Sequence, residues 1–93
     1  TGIKVKQHGG EKDYPLSGVF LAVGLEPQND KYSNVVSLDN RGYAEATDDV
    51  NTKTAGVFVA GDCRSKKIRQ VATAASDGAI AALAACAYID QNK

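Results

Sequence analysis

Two short motifs carry the side chains best suited to hold a polar ligand. The first is the apolar run Val57–Ala60 followed by Gly61 and Asp62, and the second, Arg69–Val71, begins seven residues after Asp62. A carboxylate accepts hydrogen bonds from hydroxyl groups, and glycine allows close approach to the backbone. Asp62 would follow a buried strand and face the edge where open α/β sheets bind ligands. The pattern predicts that Asp62 binds a sugar or ribityl hydroxyl.

These residues also have less specific interpretations. Asp62 could instead cap its loop or the following turn. Gln70 and Val71 are predicted to begin a helix, where free N–H groups and the helix dipole favour a carbonyl with partial negative charge. Water also satisfies such groups, so ordinary hydration is the alternative at the helix start.

Three positive charges precede this helix, on Lys66, Lys67 and Arg69. The helix dipole mildly disfavours cations at this end, so a ligand or partner could compensate for them. We expect the two lysines to be solvated. Arg69 is the better candidate for a defined contact, because its planar guanidinium offers several donors in a fixed geometry.

The chain has none of the usual catalytic or metal-binding motifs. Its single histidine, His8, lies in a glycine-rich turn and is expected to be solvated. No G-x-G-x-x-G sequence and no P-loop occur, so a complete dinucleotide site is not predicted. Cys63 and Cys86, with 22 residues between them, match neither a C-x-x-C redox pair nor a zinc site, and both are expected to be small buried thiols. We therefore predict no catalytic residue and no metal ligand.

Length, charge and hydropathy narrow the function classes further. Ninety-three residues allow one small domain, and 11 basic residues balance 11 acidic ones, which gives no electrostatic case for nucleic acid or a membrane surface. The longest apolar candidate, Ala79–Ile89, is shorter than the roughly 18 residues of a membrane span. Thr1–Lys4 has the pattern of a strand interior, which predicts a piece of a longer protein. We expect a soluble, cytoplasmic chain that binds a small molecule or a protein.

The predicted elements are short strands followed by one long helix. Alternating apolar and polar residues predict a hairpin within the first 16 residues. Ser17–Gly24 and Gly56–Ala60 are apolar runs of strand length, typical of strands covered on both faces. Tyr32–Val36 is predicted as a helical turn or an irregular loop. Val36–Leu38 and Tyr43–Ala46 are predicted as two short strands around a turn.

The helix is predicted from Gln70 to about Gln91, because this alanine-rich segment contains no breaker except Gly78. Glycine costs a helix about 1 kcal/mol relative to alanine, so Gly78 predicts either a close backbone contact or a ligand. Small side chains share its face at alternating spacings of four and three. The positions on this face are Val71, Ala75, Gly78, Ala82, Ala85 and Ile89.

Three segments, Gly56–Arg64, Ile68–Val71 and Thr73–Ala82, resemble the C-terminal part of bacterial low-molecular-weight thioredoxin reductases. Gly18–Pro27 also fits this family at the expected distance. The resemblance implies an α/β fold, in which the chain is the C-terminal part of an FAD-binding, Rossmann-like domain. It also implies that the hairpin of residues 1–16 comes from the junction with the NAD(P)H domain.

The family resemblance further implies a function. In such flavoproteins NADPH reduces FAD, FAD reduces an active disulfide, and the resulting dithiol reduces thioredoxin. The aspartate that matches Asp62, next to Gly61, hydrogen-bonds the ribityl chain of FAD. The residues that match Arg69, Gln70 and Val71 lie beside the isoalloxazine ring. A cytoplasmic homodimer is implied for the parent enzyme.

The parts of the family pattern outside this chain limit what it can do. The glycine fingerprint for FAD, the NADPH domain and the active C-x-x-C all precede this segment in the family, and Cys63 and Cys86 do not replace them. We therefore expect the 93 residues to be inactive alone. Glu26 and Gln28 depart from the commonest family residues at their positions, which leaves the details of partner recognition open.

Two other functions also fit the sequence. The chain could come from a related flavoprotein, either the flavin subunit of a peroxide-reducing system or a ferredoxin–NADP reductase. It could also be a self-associating structural module whose glycine- and alanine-lined surfaces are covered by a second copy.

Overall fold

The computed structural model describes all 93 residues, Thr1–Lys93. Its elements are strand β1 (Gly2–Gln7), strand β2 (Gly10–Pro15), a 3₁₀ helix (Asp30–Tyr32) and helix α1 (Val71–Gln91). The predicted order of short strands followed by one long C-terminal helix is therefore confirmed.

Strands β1 and β2 form an antiparallel hairpin, in which Gly2 pairs with Pro15 and Gln7 pairs with Gly10. The two residues of its turn, His8 and Gly9, have φ angles of 47° and 84°. Positive φ at both central positions is typical of the type I′ turn that suits the twist of paired strands. The hairpin makes no contact with α1. Its origin at a domain junction stays a prediction.

The two predicted core strands are wrong for this chain. Ser17–Gly24 forms no strand, and Phe20, Leu21 and Val23 are almost fully exposed. Gly56–Ala60 is reduced to a single antiparallel bridge between Asn51 and Phe58. A buried strand needs hydrogen-bonded neighbours on its edges; the 93 residues provide none for Ser17–Gly24 and only the short pairing beside Asn51 for Gly56–Ala60.

The small core lies in the loops between residues 29 and 65. Its buried apolar residues are Val36, Tyr43, Ala44 and Val50. The two short strands predicted around the turn reduce to a bridge between Leu38 and Ala44, while Ala44 also bridges Arg64. These isolated bridges hold Ala44, which follows the turn, against Leu38 before the turn and against Arg64 in the segment that precedes α1.

Asn29 connects its own segment of the core to the turn at Gly42 and to the loop at Cys63. It is buried, and its Nδ2 donates hydrogen bonds to the carbonyl oxygens of Gly42 (3.0 Å) and Cys63 (2.9 Å). A buried amide is stable when it is hydrogen-bonded, so these contacts fix the loop at Cys63 relative to the turn at Gly42.

Helix α1 begins at Val71 with Gln70 as its N-cap, one residue later than the predicted start. The Gln70 N–H donates to Thr73 Oγ1 at 3.1 Å. Near its other end, the Tyr88 ring lies edge-on to Phe58, with centroids 6.3 Å apart. Gly56 has a φ of 79°, and a Cβ there would lie 3.0 Å from the Tyr88 ring. The C-terminal half of α1 thus rests on the loop that leads to the candidate site.

The face of α1 that meets the loops is not the predicted small-residue face. Val71, Ala75, Gly78 and Ala82 are exposed, and a Cβ on Gly78 would meet nothing within 4 Å. The buried residue of α1 is instead Asp77. Within this chain, the close contact predicted at Gly78 is therefore absent.

Helix α1 is long enough and apolar enough to span a membrane by length and composition alone. The prediction that the longest apolar stretch is Ala79–Ile89 is therefore wrong, because it leaves out the first turns of the helix. Nine of its 21 residues are alanine, and Asp77 is buried against Arg64 and Lys66 of the preceding loop. Length and composition therefore do not by themselves identify α1 as a membrane helix.

Candidate functional site

The Gly61–Arg64 turn lies directly over the start of α1. The Arg64 N–H donates to the carbonyl of Gly61 at 3.1 Å, which closes the turn. Gly61 has a φ of 87°, a region that favours glycine. A Cβ on Gly61 would lie 3.8 Å from the Cβ of Ala74, in the first turn of the helix. The structure thus brings the two predicted motifs together.

Asp62 is exposed, and its carboxylate makes no hydrogen bond within the chain. The capping role considered from the sequence is therefore absent. The side chain borders a cavity of about 230 Å³, whose other lining residues are Leu25, Glu26, Pro27, Tyr43 and Cys63. A carboxylate with free acceptors at the edge of a cavity is suited to bind hydroxyl groups.

Arg69 makes the defined contact that was predicted, and its partners belong to the chain itself. Its Nε donates to the carbonyl of Asp62 at 3.1 Å, and its Nη2 donates to the carbonyl of Arg64 at 3.2 Å. Its guanidinium lies 3.6 Å from the centre of the Tyr43 ring, a cation–π contact. Arg69 therefore holds the turn through two of its backbone carbonyl groups.

The start of α1 is open to solvent. Gln70 and Val71 are both exposed, and the first turn of the helix contains no acidic residue. The first N–H groups of a helix have no partner within it, and they give this end a partial positive charge. The exposed start of α1 can therefore receive a group with partial negative charge.

Asp77 is the residue of this region that sequence reasoning missed. Its Oδ2 accepts hydrogen bonds from the Gly61 N–H and from Lys66 Nζ, each at 3.0 Å, while its Oδ1 accepts from Arg64 Nη1 at 2.8 Å. Asp77 is the sole acidic residue between Cys63 and Ile89. That isolation, after a loop rich in cations, is the signal that could have identified it.

Lys66 is correspondingly not a solvated loop charge. Its side chain and that of Arg64 are each only 12% exposed, because both contact Asp77. The prediction of a solvated lysine is therefore wrong for Lys66, while Lys67 is exposed as expected.

The environment of Asp77 favours its ionised form. Burial acts to raise the pKa of its carboxyl group. Hydrogen bonds from Lys66 and the Gly61 N–H, with the charges of Arg64 and Lys66, outweigh burial and lower the pKa below its ordinary value of 3.8. Asp77 therefore stabilises the fold above its unfolded pKa, and this contribution is lost as the pH falls through the lower folded pKa.

Asp39 fixes the other side of the segment that precedes α1. Its Oδ2 accepts a hydrogen bond from Ser65 Oγ at 2.7 Å, and its Oδ1 accepts from the N–H groups of Arg41 and Tyr43 at 2.9 Å. The Ser65 hydrogen bond is the main reason that the pKa of Asp39 is lowered. Ser65 therefore connects the loop before α1 to the turn that begins at Asp39.

Both cysteines are exposed free thiols, so the prediction of buried thiols is wrong. Cys63 follows Asp62 directly, and its Sγ lies 3.4 Å from the carbonyl of Ala60. Cys86 is on the exposed side of α1. The chain contains no group of three or more His, Cys, Asp or Glu side chains placed to hold a metal ion.

A family comparison decides which class of protein contains this site. Residues 1–78 match the family described as pyridine nucleotide-disulphide oxidoreductase. The chain belongs to this family. The turn at Gly61, Asp62 and the first turn of α1 all lie within the matched residues.

Relatives within the family share this segment over most of its length. The chain is 40% identical over 92 residues to the thioredoxin reductase of Peptoclostridium acidaminophilum, covering 99% of this chain and 29% of that protein. It is 41% identical over 87 residues to the 34.2 kDa protein in the rubredoxin operon of Clostridium pasteurianum, covering 94% of this chain and 27% of that protein.

A solved structure agrees with these sequence relatives. The crystal structure of T. acidophilum thioredoxin reductase superposes with a TM-score of 0.80 at 40% identity, covering 100% of this chain and 31% of that one. This similarity supports the assignment of the fold to a thioredoxin-reductase-type FAD/NAD(P)-binding domain. The chain spans less than a third of the length of the relatives that it matches.

Proposed function

We propose that this chain is the C-terminal part of the FAD-binding domain of an NADPH-dependent thioredoxin-disulfide reductase. The observation that carries the proposal is the free carboxylate of Asp62, presented on a turn that Arg69 holds against the start of α1. The family match and the thioredoxin reductases among the relatives support the same conclusion.

The residues of this site fit FAD chemically. The Asp62 carboxylate has free acceptors for ribityl hydroxyls. Gly61 has no side chain to block approach along its turn. The exposed N–H groups at Val71 would stabilise negative charge on a flavin carbonyl, because they lie at the positive end of the helix dipole. Gly61, Asp62, Arg69, Gln70 and Val71 are the proposed FAD contacts.

When bound, FAD would carry electrons between NADPH and a disulfide. The residues of this chain bind and orient the cofactor, and they provide no acid, base or thiol pair for the reaction itself. We place the NADPH site and the reactive dithiol in the rest of the longer protein. The 93-residue chain alone is therefore proposed to be inactive.

For the whole protein, we propose a cytoplasmic homodimer with thioredoxin, or a similar small redox protein, as its partner. Several exposed apolar residues support the view that other protein surfaces cover this segment in the complete molecule, among them Phe20, Leu21, Val23, Leu25 and Leu83. We propose no role in nucleic acid or membrane binding.

A second candidate keeps the cofactor and changes the electron acceptor. The relative from C. pasteurianum bears a name that specifies no substrate, and it is as similar to this chain as the thioredoxin reductases are. The flavin subunit of a peroxide-reducing system or a ferredoxin–NADP reductase is therefore the alternative.

Steady-state turnover of the full-length protein tests the proposed function. We expect it to purify with FAD and to oxidise NADPH when thioredoxin is present, with slower turnover on NADH. Ferredoxin and a peroxide-reducing partner protein serve as control acceptors. Reduction of either control acceptor without reduction of thioredoxin would favour the second candidate, and a protein unable to bind FAD would contradict both.

A further inference from the structure

Asp77 is the buried ionisable residue of α1 that the proposed cofactor contacts do not include. It lies in the second turn of the helix, and its side chain is 11% exposed. A buried carboxylate is costly unless its oxygen atoms are paired. The oxygen atoms of Asp77 are paired with the Gly61 N–H, the Arg64 side chain and the Lys66 side chain.

The contacts of Asp77 hold the turn at its first and last residues, Gly61 and Arg64. The Gly61 N–H, one residue before Asp62, donates to Oδ2 at 3.0 Å, and the Arg64 side chain, two residues after Asp62, donates to Oδ1 at 2.8 Å. Arg69 binds the same turn through the carbonyls of Asp62 and Arg64. The turn that presents Asp62 is therefore held through the Gly61 N–H, the Arg64 side chain and two backbone carbonyls.

Two cations depend on the single negative charge of Asp77. Arg64 and Lys66 are each 12% exposed, and each forms its ion pair with this carboxylate. The Nε of Arg64 is buried without a hydrogen-bond partner, so Asp77 is the main polar anchor of that side chain. Removing one member of a buried charge cluster leaves the other members uncompensated, which is strongly unfavourable.

We propose that Asp77 is a positioning residue for the FAD site, which fixes the Gly61–Asp62 turn over the start of α1. The inference rests on the proposed function, because it concerns the same site. Asp77 does not touch the cofactor in this account. It acts through the Gly61 N–H and through Arg64. These contacts keep the Asp62 carboxylate in a fixed position relative to the N–H groups at the start of α1.

Asp77→Asn in the full-length protein tests this role, because asparagine has nearly the same shape without the charge. We expect the dissociation constant for FAD to rise about tenfold, equivalent to about 1.4 kcal/mol. Amide hydrogen exchange at Gly61 should become faster in the cofactor-free protein, because its acceptor is weakened. Asp77→Glu, which restores the charge, should bring the constant back to within about threefold of the wild-type value.

Two control variants separate positioning from general stability. Asp90→Asn makes the same chemical change on the exposed end of α1, where Asp90 pairs only with Lys93, and FAD affinity should not change. Tyr88→Ala removes the ring contact with Phe58 in the other half of the helix. It should lower the melting temperature without accelerating exchange at Gly61.

Three results would overturn the role of Asp77. These are an unchanged FAD dissociation constant in Asp77→Asn, an equal loss of affinity in Tyr88→Ala, or unchanged exchange at Gly61. If Asp77→Asn does not fold, Lys66→Gln is the second variant, since it removes one cation and keeps the contact with Gly61. It should raise the constant about threefold, and no change would count against the inference. A wild-type protein that fails to bind FAD would instead refute the proposed function itself.

Discussion

Arg69 is the side chain that joins the two motifs of the candidate site. It contacts the carbonyls of Asp62 and Arg64 and stacks on the Tyr43 ring at 3.6 Å. We expect Arg69→Ala to lower the free energy of unfolding of the full-length protein by roughly 1–3 kcal/mol, because it removes a cation–π contact and two hydrogen bonds. Urea unfolding at constant pH measures this difference.

Lys67→Ala is the matched control for Arg69, since Lys67 is a nearby cation that is exposed. Substitutions at such surface positions usually change stability by less than about 0.5 kcal/mol. Equal losses in the two variants would show that Arg69 acts only through its charge before α1, and that its contacts with the Gly61–Arg64 turn and the Tyr43 ring do not stabilise the fold.

Residue types identified the proposed ligand-facing residues, which stay a prediction, but they did not identify the residues that support them. Asp62 is predicted from a carboxylate after Gly61, and Gln70 and Val71 from a helix start, which are local patterns; the strand predicted before Asp62 does not form. The contacts of Asp77 could not be found in this way. They join positions 11 to 16 residues apart, and only the docking of the turn on α1 brings them together.

At the scale of elements, the helix could be predicted to within one residue of its start, and the core strands could not. Helix α1 satisfies its own backbone through hydrogen bonds four residues apart, so local composition determines it. Ser17–Gly24 has the composition of a buried strand, but a strand depends on neighbours that are often remote in sequence. Its exposure follows because none of the 93 residues pairs with it.

The Gly78→Ala substitution tests whether another surface packs on the small-residue face of α1 in the full-length protein. In the 93-residue chain, Gly78→Ala should stabilise the helix by about 1 kcal/mol, since the new Cβ meets nothing within 4 Å. In the full-length protein, the same change should destabilise by roughly 1–3 kcal/mol, because we expect the small-residue face to pack closely there. Thermal unfolding followed by circular dichroism measures both values.

Ser76→Ala is the control for this comparison, because Ser76 is exposed and lies outside the small-residue face. It should have a small effect of the same sign in both proteins. Equal stabilisation by Gly78→Ala in the short and full-length proteins would show that no surface packs closely on this face.

The shape of the whole molecule differs from that of an independent domain. Its Cα radius of gyration is 19.7 Å, and its extents are 64 × 26 × 20 Å. A compact domain of this length would have a radius of gyration of about 12 Å. Only 6 of the 93 residues are buried, which is too few for a substantial core. These dimensions support the proposal that the chain functions as part of a longer protein.

The same shape bears on the alternative of a self-associating structural module. A second copy could cover part of the exposed apolar surface, but the hairpin and α1 make no contact with each other. A second copy would have to contact each of them to cover both. The family match over residues 1–78 favours the remainder of a reductase as the cover for these surfaces.

The dissociation constant for FAD, measured in the full-length protein and its Asp62→Ala variant, tests the central claim most directly. We expect the variant to bind FAD more weakly by roughly 1–3 kcal/mol, the usual loss for a charge-assisted hydrogen bond. Asp48→Asn, at an exposed acidic position, is the control and should leave the constant unchanged. The isolated 93-residue chain should not retain the cofactor. Equal FAD affinity in the wild-type and Asp62→Ala proteins would contradict the account.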